Sequence, residues 1–118
     1  MRINITARRF RLNEDLKQFT EEEVYRLKKY YSDIIDAEIV LGWEKKDRLA
    51  EINIAVYGTI LTAHERTDDM KKSISLAVDK LERQLKKYKQ RMRDFDHEKL
   101  PVEELLNAQT PNETEEIE

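Results

Sequence analysis

The sequence predicts an α+β fold in the order β-α-β-β-β-α, a four-stranded mixed sheet with two helices packed on one of its faces. Three observations predict it. In two stretches apolar residues recur at three- and four-residue steps, as on one face of a helix; in residues 69–93 they are Met70, Ile74, Ala77, Val78, Leu81, Leu85, Tyr88 and Met92. In four other stretches apolar and polar residues alternate, which is the period of a half-buried strand. The first helical stretch separates the first two strands, whereas only short turns separate the last three. A strand-helix-strand passage implies a right-handed crossover between parallel strands, and short turns imply antiparallel neighbours. With both helices on one sheet face and the other face wet, every apolar stripe is covered.

Residues 2–7 alternate Ile3, Ile5 and Ala7 with Arg2, Asn4 and Thr6, giving the first strand. Arg8, Arg9 and Arg11 crowd the connection that follows, in which Phe10 and Leu12 tuck under. Asn13 is a good N-cap, and Glu14 and Asp15 stand where a helix dipole favours acids. From there Leu16, Phe19, Thr20, Val24, Leu27, Tyr30 and Tyr31 carry a helical stripe to about Ser32, with Arg26, Lys28 and Lys29 in the last turns. Ala37, Ile39, Leu41 and Trp43 form the inward face of a second strand, so Trp43 is read as core. Residues 44–48 turn the chain, and Ala50, Ile52, Ile54 and Val56 alternate as the third strand. Tyr57, facing the other way, is the more exposed aromatic. Gly58 gives the freedom a tight hairpin needs, and residues 59–65 form the fourth strand with Leu61 and Ala63 inward. Thr67, Asp68 and Asp69 then open the long helix as cap and acidic first turn.

At 118 residues the length fits one domain, and 40% charged residues, against about 25% in ordinary globular proteins, describe a small core under a heavily charged surface. The chain has no Cys, which excludes disulfides, thiolate metal sites and cysteine nucleophiles. It shows no apolar signal core and no run near the roughly 20 apolar residues of a membrane span, so a cytoplasmic protein is expected. The net charge of −3 conceals a division. Residues 1–93 hold 21 Lys and Arg against 16 Asp and Glu, a net of +5, whereas residues 94–118 hold one Lys against nine acids, a net of −8. The expected organisation is a folded basic domain over 1–93 and an acidic, disordered tail over 94–118, with at most one helical turn around Glu103 to Asn107.

At about 100° per residue, Lys80, Arg83, Lys87 and Arg91 fall in a row roughly a right angle from the apolar stripe of the long helix. Lys86, Lys89 and Arg93 widen that row, and between Lys80 and Arg93 seven basic residues face a single acid, Glu82. Basic residues suit the negative end of a helix and charged faces are ordinarily solvated, yet a polyanion is the simplest partner for such a row.

Asn4-Ile5-Thr6, Asp69-Met70, and above all Lys80-Leu81-Glu82-Arg83-Gln84-Leu85 followed by Lys87 resemble, in order and spacing, the ribosome hibernation-promoting factors and their relative ribosome-associated inhibitor A, also called the sigma-54 modulation protein family. The resemblance covers about residues 2–92. It implies a fold like that of double-stranded RNA-binding domains. It implies docking in the decoding channel of the small ribosomal subunit, where messenger RNA and the A- and P-site transfer RNAs would lie, and inhibition of translation by occlusion without chemistry. By position, the family's basic residues match Arg26 and Lys29 in the first helix and Lys80, Arg83, Lys86 and Lys87 in the second, with Arg91 extending the row. Such contacts hold RNA backbone phosphates through charge-assisted hydrogen bonds and released counterions. Glu23 departs from the family, standing where relatives carry a basic residue, and Lys71 stands where an aromatic is usual. Long members continue into a second domain that pairs ribosomes. A chain ending at 118 is expected to be a short member, monomeric off the ribosome, and its acidic finish, Glu113 to Glu118, is similar to that of the inhibitor, which holds single ribosomes idle.

An enzyme is not expected. His64 and His97 are the only histidines and stand in no metal-ligand spacing, the two glycines form no phosphate-cradling loop, and Asp68 with Asp69 read as helix-start residues. No cofactor, small-molecule substrate or membrane partner is expected either. The alternatives to a ribosome partner are a generic duplex-RNA binder of the same shape and a protein-interaction module using the open sheet face.

Overall fold

In the computed structural model, which describes residues 1–98, the alternating stretches pair into one sheet. Its strands are β1 (Arg2–Arg8), β2 (Asp36–Glu44), β3 (Asp47–Val56) and β4 (Thr59–Thr67), in the spatial order β1-β2-β3-β4. β1 runs parallel to β2, with Ile5 beside Ile39, and the other pairings are antiparallel. Glu44 opposite Asp47 leaves Lys45 and Lys46 as a two-residue turn. Val56 opposite Thr59 leaves Tyr57 and Gly58, and Gly58 takes the φ of 86° that this hairpin demands.

Strand periodicity sends Ala37, Ile39 and Leu41 of β2, Ala50, Ile52, Ile54 and Val56 of β3, and Leu61 and Ala63 of β4 to one face, and all of them are buried. α2 (Met70–Glu98) covers β3 and β4 with Ile74, Ala77, Val78, Leu81 and Leu85. α1 (Glu14–Tyr25) adds Val24 to the same core, and Leu27 follows just beyond its end. Each buried Leu, Ile or Val contributes about 1.5–3 kcal/mol of hydrophobic stabilisation, so these stripes hold the helices to the sheet.

The helix starts follow the local chemistry. The Asn13 side chain accepts the Leu16 N–H at 2.7 Å, and the Asp69 carboxylate accepts the Lys71 N–H at 3.2 Å. Three hydrogen bonds then fix α2 along the sheet. The Ser73 hydroxyl donates to the Arg48 carbonyl (2.7 Å), the Gln84 amide to the Thr62 carbonyl (2.9 Å) and the Tyr88 hydroxyl to the Tyr57 carbonyl (2.6 Å). Burial, and then Tyr31 beside it, holds the Tyr88 phenol above its ordinary pKa, which keeps it a neutral donor.

The structure departs from the sequence expectations in three places. α1 does not continue as α-helix to Ser32. It ends at Tyr25 and tightens into a 3-10 helix over Arg26–Lys29, closed by the Tyr30 N–H on the Leu27 carbonyl at 3.0 Å. The tighter turn buries Leu27 and brings Tyr31 edge-on to Tyr88, with ring centroids 5.3 Å apart. Trp43 is not core. It shares its face with Ile39 and Leu41, but it lies at the end of β2 beyond the cover of the helices and is 43% exposed, with Phe10 stacked on it at 5.1 Å. Tyr57, by contrast, is exposed as expected. Finally, α2 runs on to Glu98, five residues into the stretch expected to be a disordered tail. The expected tail residues 99–118, including the turn at 103–107, lie outside the described residues.

Candidate nucleic-acid interface

Because α2 presents Ile74, Leu81 and Leu85 to the sheet, its remaining directions are fixed at about 100° per residue. Lys80, Lys87 and Arg91 lie on the flank above β4, Arg83 on the solvent crest, and Lys86 on the flank toward α1. Arg83, Lys86 and Lys87 are exposed, as are Lys89 and, on the first helical segment, Lys29. Arg91 is half-buried. The structure therefore brings Lys80, Arg83, Lys86, Lys87 and Arg91 together on one helix, spread across its crest.

Several of the expected contact residues are already engaged, Lys80 and Arg26 most closely. Lys80 is half-buried and its ammonium meets the Glu65 carboxylate of β4 at 2.6 Å. Arg26 is held by three acids: Glu23 at 2.6 Å, Asp79 at 3.3 Å and Glu82 at 3.5 Å. Burial works against its charge, but Glu23 first and then Asp79 and Glu82 outweigh it and raise its pKa above the ordinary value. Arg26 thus ties the end of α1 to α2. Glu23 also accepts the Ser75 hydroxyl at 3.2 Å, so it faces inward to its partners and is largely withdrawn from the surface. Lys86 reaches Glu82 at 3.7 Å and lies over the Tyr30 ring at 5.1 Å, still more than half exposed. Lys71 covers the Phe19 ring at 5.3 Å and pairs with Asp15 at 3.2 Å, which bridges the starts of the two helices.

The sequence reading missed the acids that hold Lys80 and Arg26. Glu23 was legible at i,i+3 spacing from Arg26, as a helical ion pair. Glu65, Asp79 and Glu82 reach their partners only through the packing of α2 on β4 and on α1, and no local pattern announces that. Among the described residues no group of His, Asp and Glu is arranged to hold a metal ion, and no helix is long and apolar enough to cross a membrane.

Residues 3–93, which include all of the sheet but Arg2, both helical segments of the first crossover and α2 through its basic row, match the family described as Sigma 54 modulation protein / S30EA ribosomal protein. The chain is 30% identical over 91 residues to a ribosome hibernation promoting factor of Azotobacter vinelandii, covering 77% of this chain and 85% of that one. It is 34% identical over 93 residues to a ribosome hibernation promotion factor of Deinococcus radiodurans, covering 74% of this chain but only 48% of that longer protein. Two solved structures share the fold. A ribosomal subunit interface protein from Coxiella burnetii matches with a TM-score of 0.72 at 29% identity, over 75% of this chain and 98% of that one. The Thermus thermophilus Protein Y N-terminal domain matches with a TM-score of 0.69 at 29% identity, over 75% and 99% respectively. With a match that spans every strand of the sheet and the basic length of α2, the chain belongs to the Sigma 54 modulation protein / S30EA ribosomal protein family.

Proposed function

We propose that this protein is a ribosome hibernation factor that docks in the decoding channel of the small ribosomal subunit and, by filling it, excludes messenger RNA and the A- and P-site transfer RNAs. The observation that carries this reading is the family match, which extends over residues 3–93 and so takes in the basic length of α2. The names of the similar proteins, hibernation factors and a ribosomal subunit interface protein, support it. In this reading the crest of α2 is the contact. Arg83, Lys86, Lys87 and Arg91 hold ribosomal RNA phosphates, with Lys29 reaching from the α1 side. Lys80 joins them by exchanging the Glu65 carboxylate for a phosphate, and Arg26 reaches RNA only by leaving its three acids. These contacts position the protein without reading bases, so affinity is phosphate-led and salt-dependent. No bond is made or broken: inhibition is occupancy. The protein acts in the cytoplasm, as a monomer until it meets a ribosome.

Occlusion has a direct test. Purified small subunits filled with messenger RNA and P-site transfer RNA are expected to take up the protein at least tenfold less well than empty ones, measured by co-pelleting. Equal uptake by filled and empty subunits would show that it binds outside the channel.

A further inference from the structure

Apart from the crest of α2, the molecule has a second basic surface at the opposite end of the sheet, where β1 ends and β2 turns into β3. Arg9 and Arg11 leave β1 there, and Lys45 and Lys46 form the two-residue turn. All four are exposed, and none makes an ion pair among the described residues. The acids flanking the turn share Arg66, Glu44 at 2.9 Å and Asp47 at 2.8 Å, so at most one negative charge stands uncompensated beside the four cations.

The backbone singles out the same place. Among the described residues only two that are not glycine have positive φ, Arg9 at 69° and Lys45 at 57°. Both are basic, both are exposed, and they flank neighbouring strands at one sheet end, since Arg8 is the register partner of Gly42 just before Trp43. The Lys45 angle is the one its two-residue hairpin requires, and Gly or Asn would take either conformation with less strain.

A rigid stack fixes the two segments to each other. Phe10, the neighbour of Arg9, lies on Trp43 with the ring planes 3° apart. The Arg48 guanidinium lies 4.2 Å from the centre of the same indole and donates to the Lys45 and Asp47 carbonyls at 3.3 and 3.1 Å. Trp43, the expected core residue that proves exposed, is thus the post between the two strained basic positions. The α2 crest lies toward the other end of the molecule, because Tyr88 bonds to the β3–β4 hairpin whereas Ser73 bonds to Arg48 beside this turn. At 1.5 Å per residue those two anchor points of α2 are about 22 Å apart.

We infer that Arg9, Arg11, Lys45 and Lys46 form a second phosphate-binding surface, which grips a separate stretch of RNA backbone from that held by the α2 crest. This rests on the proposed function, and it makes the protein a two-point clamp. The two points hold the protein to RNA at both ends of the sheet.

The positive φ angles permit a clean test. In Arg9→Gly/Lys45→Gly two charges are removed at positions where glycine relieves strain, so thermal stability is expected to stay level or rise. Affinity for small subunits is expected to fall at least tenfold, and the slope of log K against log salt to become shallower by about two. Restoring charge with Arg9→Lys/Lys45→Arg is expected to restore most of the affinity. A double-glycine variant that binds as tightly as the unaltered chain overturns this inference and leaves the proposed function standing. Weaker binding with an unchanged salt slope points to a protein surface and overturns it as well. If the unaltered chain does not bind small subunits, the proposed function falls and this inference with it. Should the glycine pair impair folding, Arg11→Gln/Lys46→Gln, which alters neither strained residue, reads the same loss.

Discussion

Arg83→Glu/Lys87→Glu/Arg91→Glu is expected to abolish association with the small subunit while leaving the circular dichroism spectrum unchanged. The three residues form an i, i+4, i+8 row on α2, outside the stripe of Ile74, Leu81 and Leu85 that packs on the sheet. A hydrogen bond to a charged group is worth about 1.5–3 kcal/mol, so three lost phosphate contacts amount to roughly 4–9 kcal/mol. That is a loss of affinity on the order of a thousandfold or more before the repulsion of three new carboxylates is added. Lys80 is left out of the set deliberately. Its reversal would set a second carboxylate against Glu65 in a half-buried site, and lost binding could then follow from damage to the fold. Retained binding by the triple variant would remove the crest of α2 from the interface.

The largest effect on stability is expected from Leu81→Ala. Leu81 is fully buried at the middle of the stripe by which α2 covers the sheet, next in the helix to the Lys80 anchor on Glu65. Truncating such a Leu costs about 3–4 kcal/mol in transfer and cavity terms together, a large part of the 5–15 kcal/mol that holds a domain folded. In a domain of this size the melting temperature is expected to fall by roughly 15–25 °C. Urea unfolding should show a lower midpoint at nearly constant slope. A loss below about 1 kcal/mol would mean that α2 is not the principal cover of the core.

These two variants separate what the chain makes legible from what it does not. The element order and the buried face of each element follow from periodicity, because an alternating or a 3.6-residue pattern is already the geometry of one covered face. Ile39, Ile52, Leu81 and Leu85 could be named as core on that ground, and they are buried. Periodicity tells which face a residue takes, but not whether anything lies above it there. Trp43 is the case in point, on the inner face of β2 yet past the end of the helix layer. The basic residues were legible as a row for the same geometric reason. Their engagement was not: the Glu65 and Asp79 partners of Lys80 and Arg26 come from the packing of separate elements, 15 and 53 residues away in the chain. The strained backbone at Arg9 and Lys45 was equally hidden, since neither residue type suggests positive φ.

The central claim is that this protein holds the small ribosomal subunit through phosphate contacts, and sedimentation in sucrose gradients at low and high salt tests it most directly. Purified ribosomes and the protein are mixed, and the fractions are blotted for the chain. The protein is expected to travel with small subunits and whole ribosomes at low salt and to return to the top of the gradient at high salt, because each phosphate contact releases counterions on forming. Movement with single ribosomes marks a factor that idles them singly, and a shift to ribosome dimers marks one that pairs them. A protein that stays at the top of the gradient even at low salt, or that stays bound undiminished at high salt, contradicts the claim.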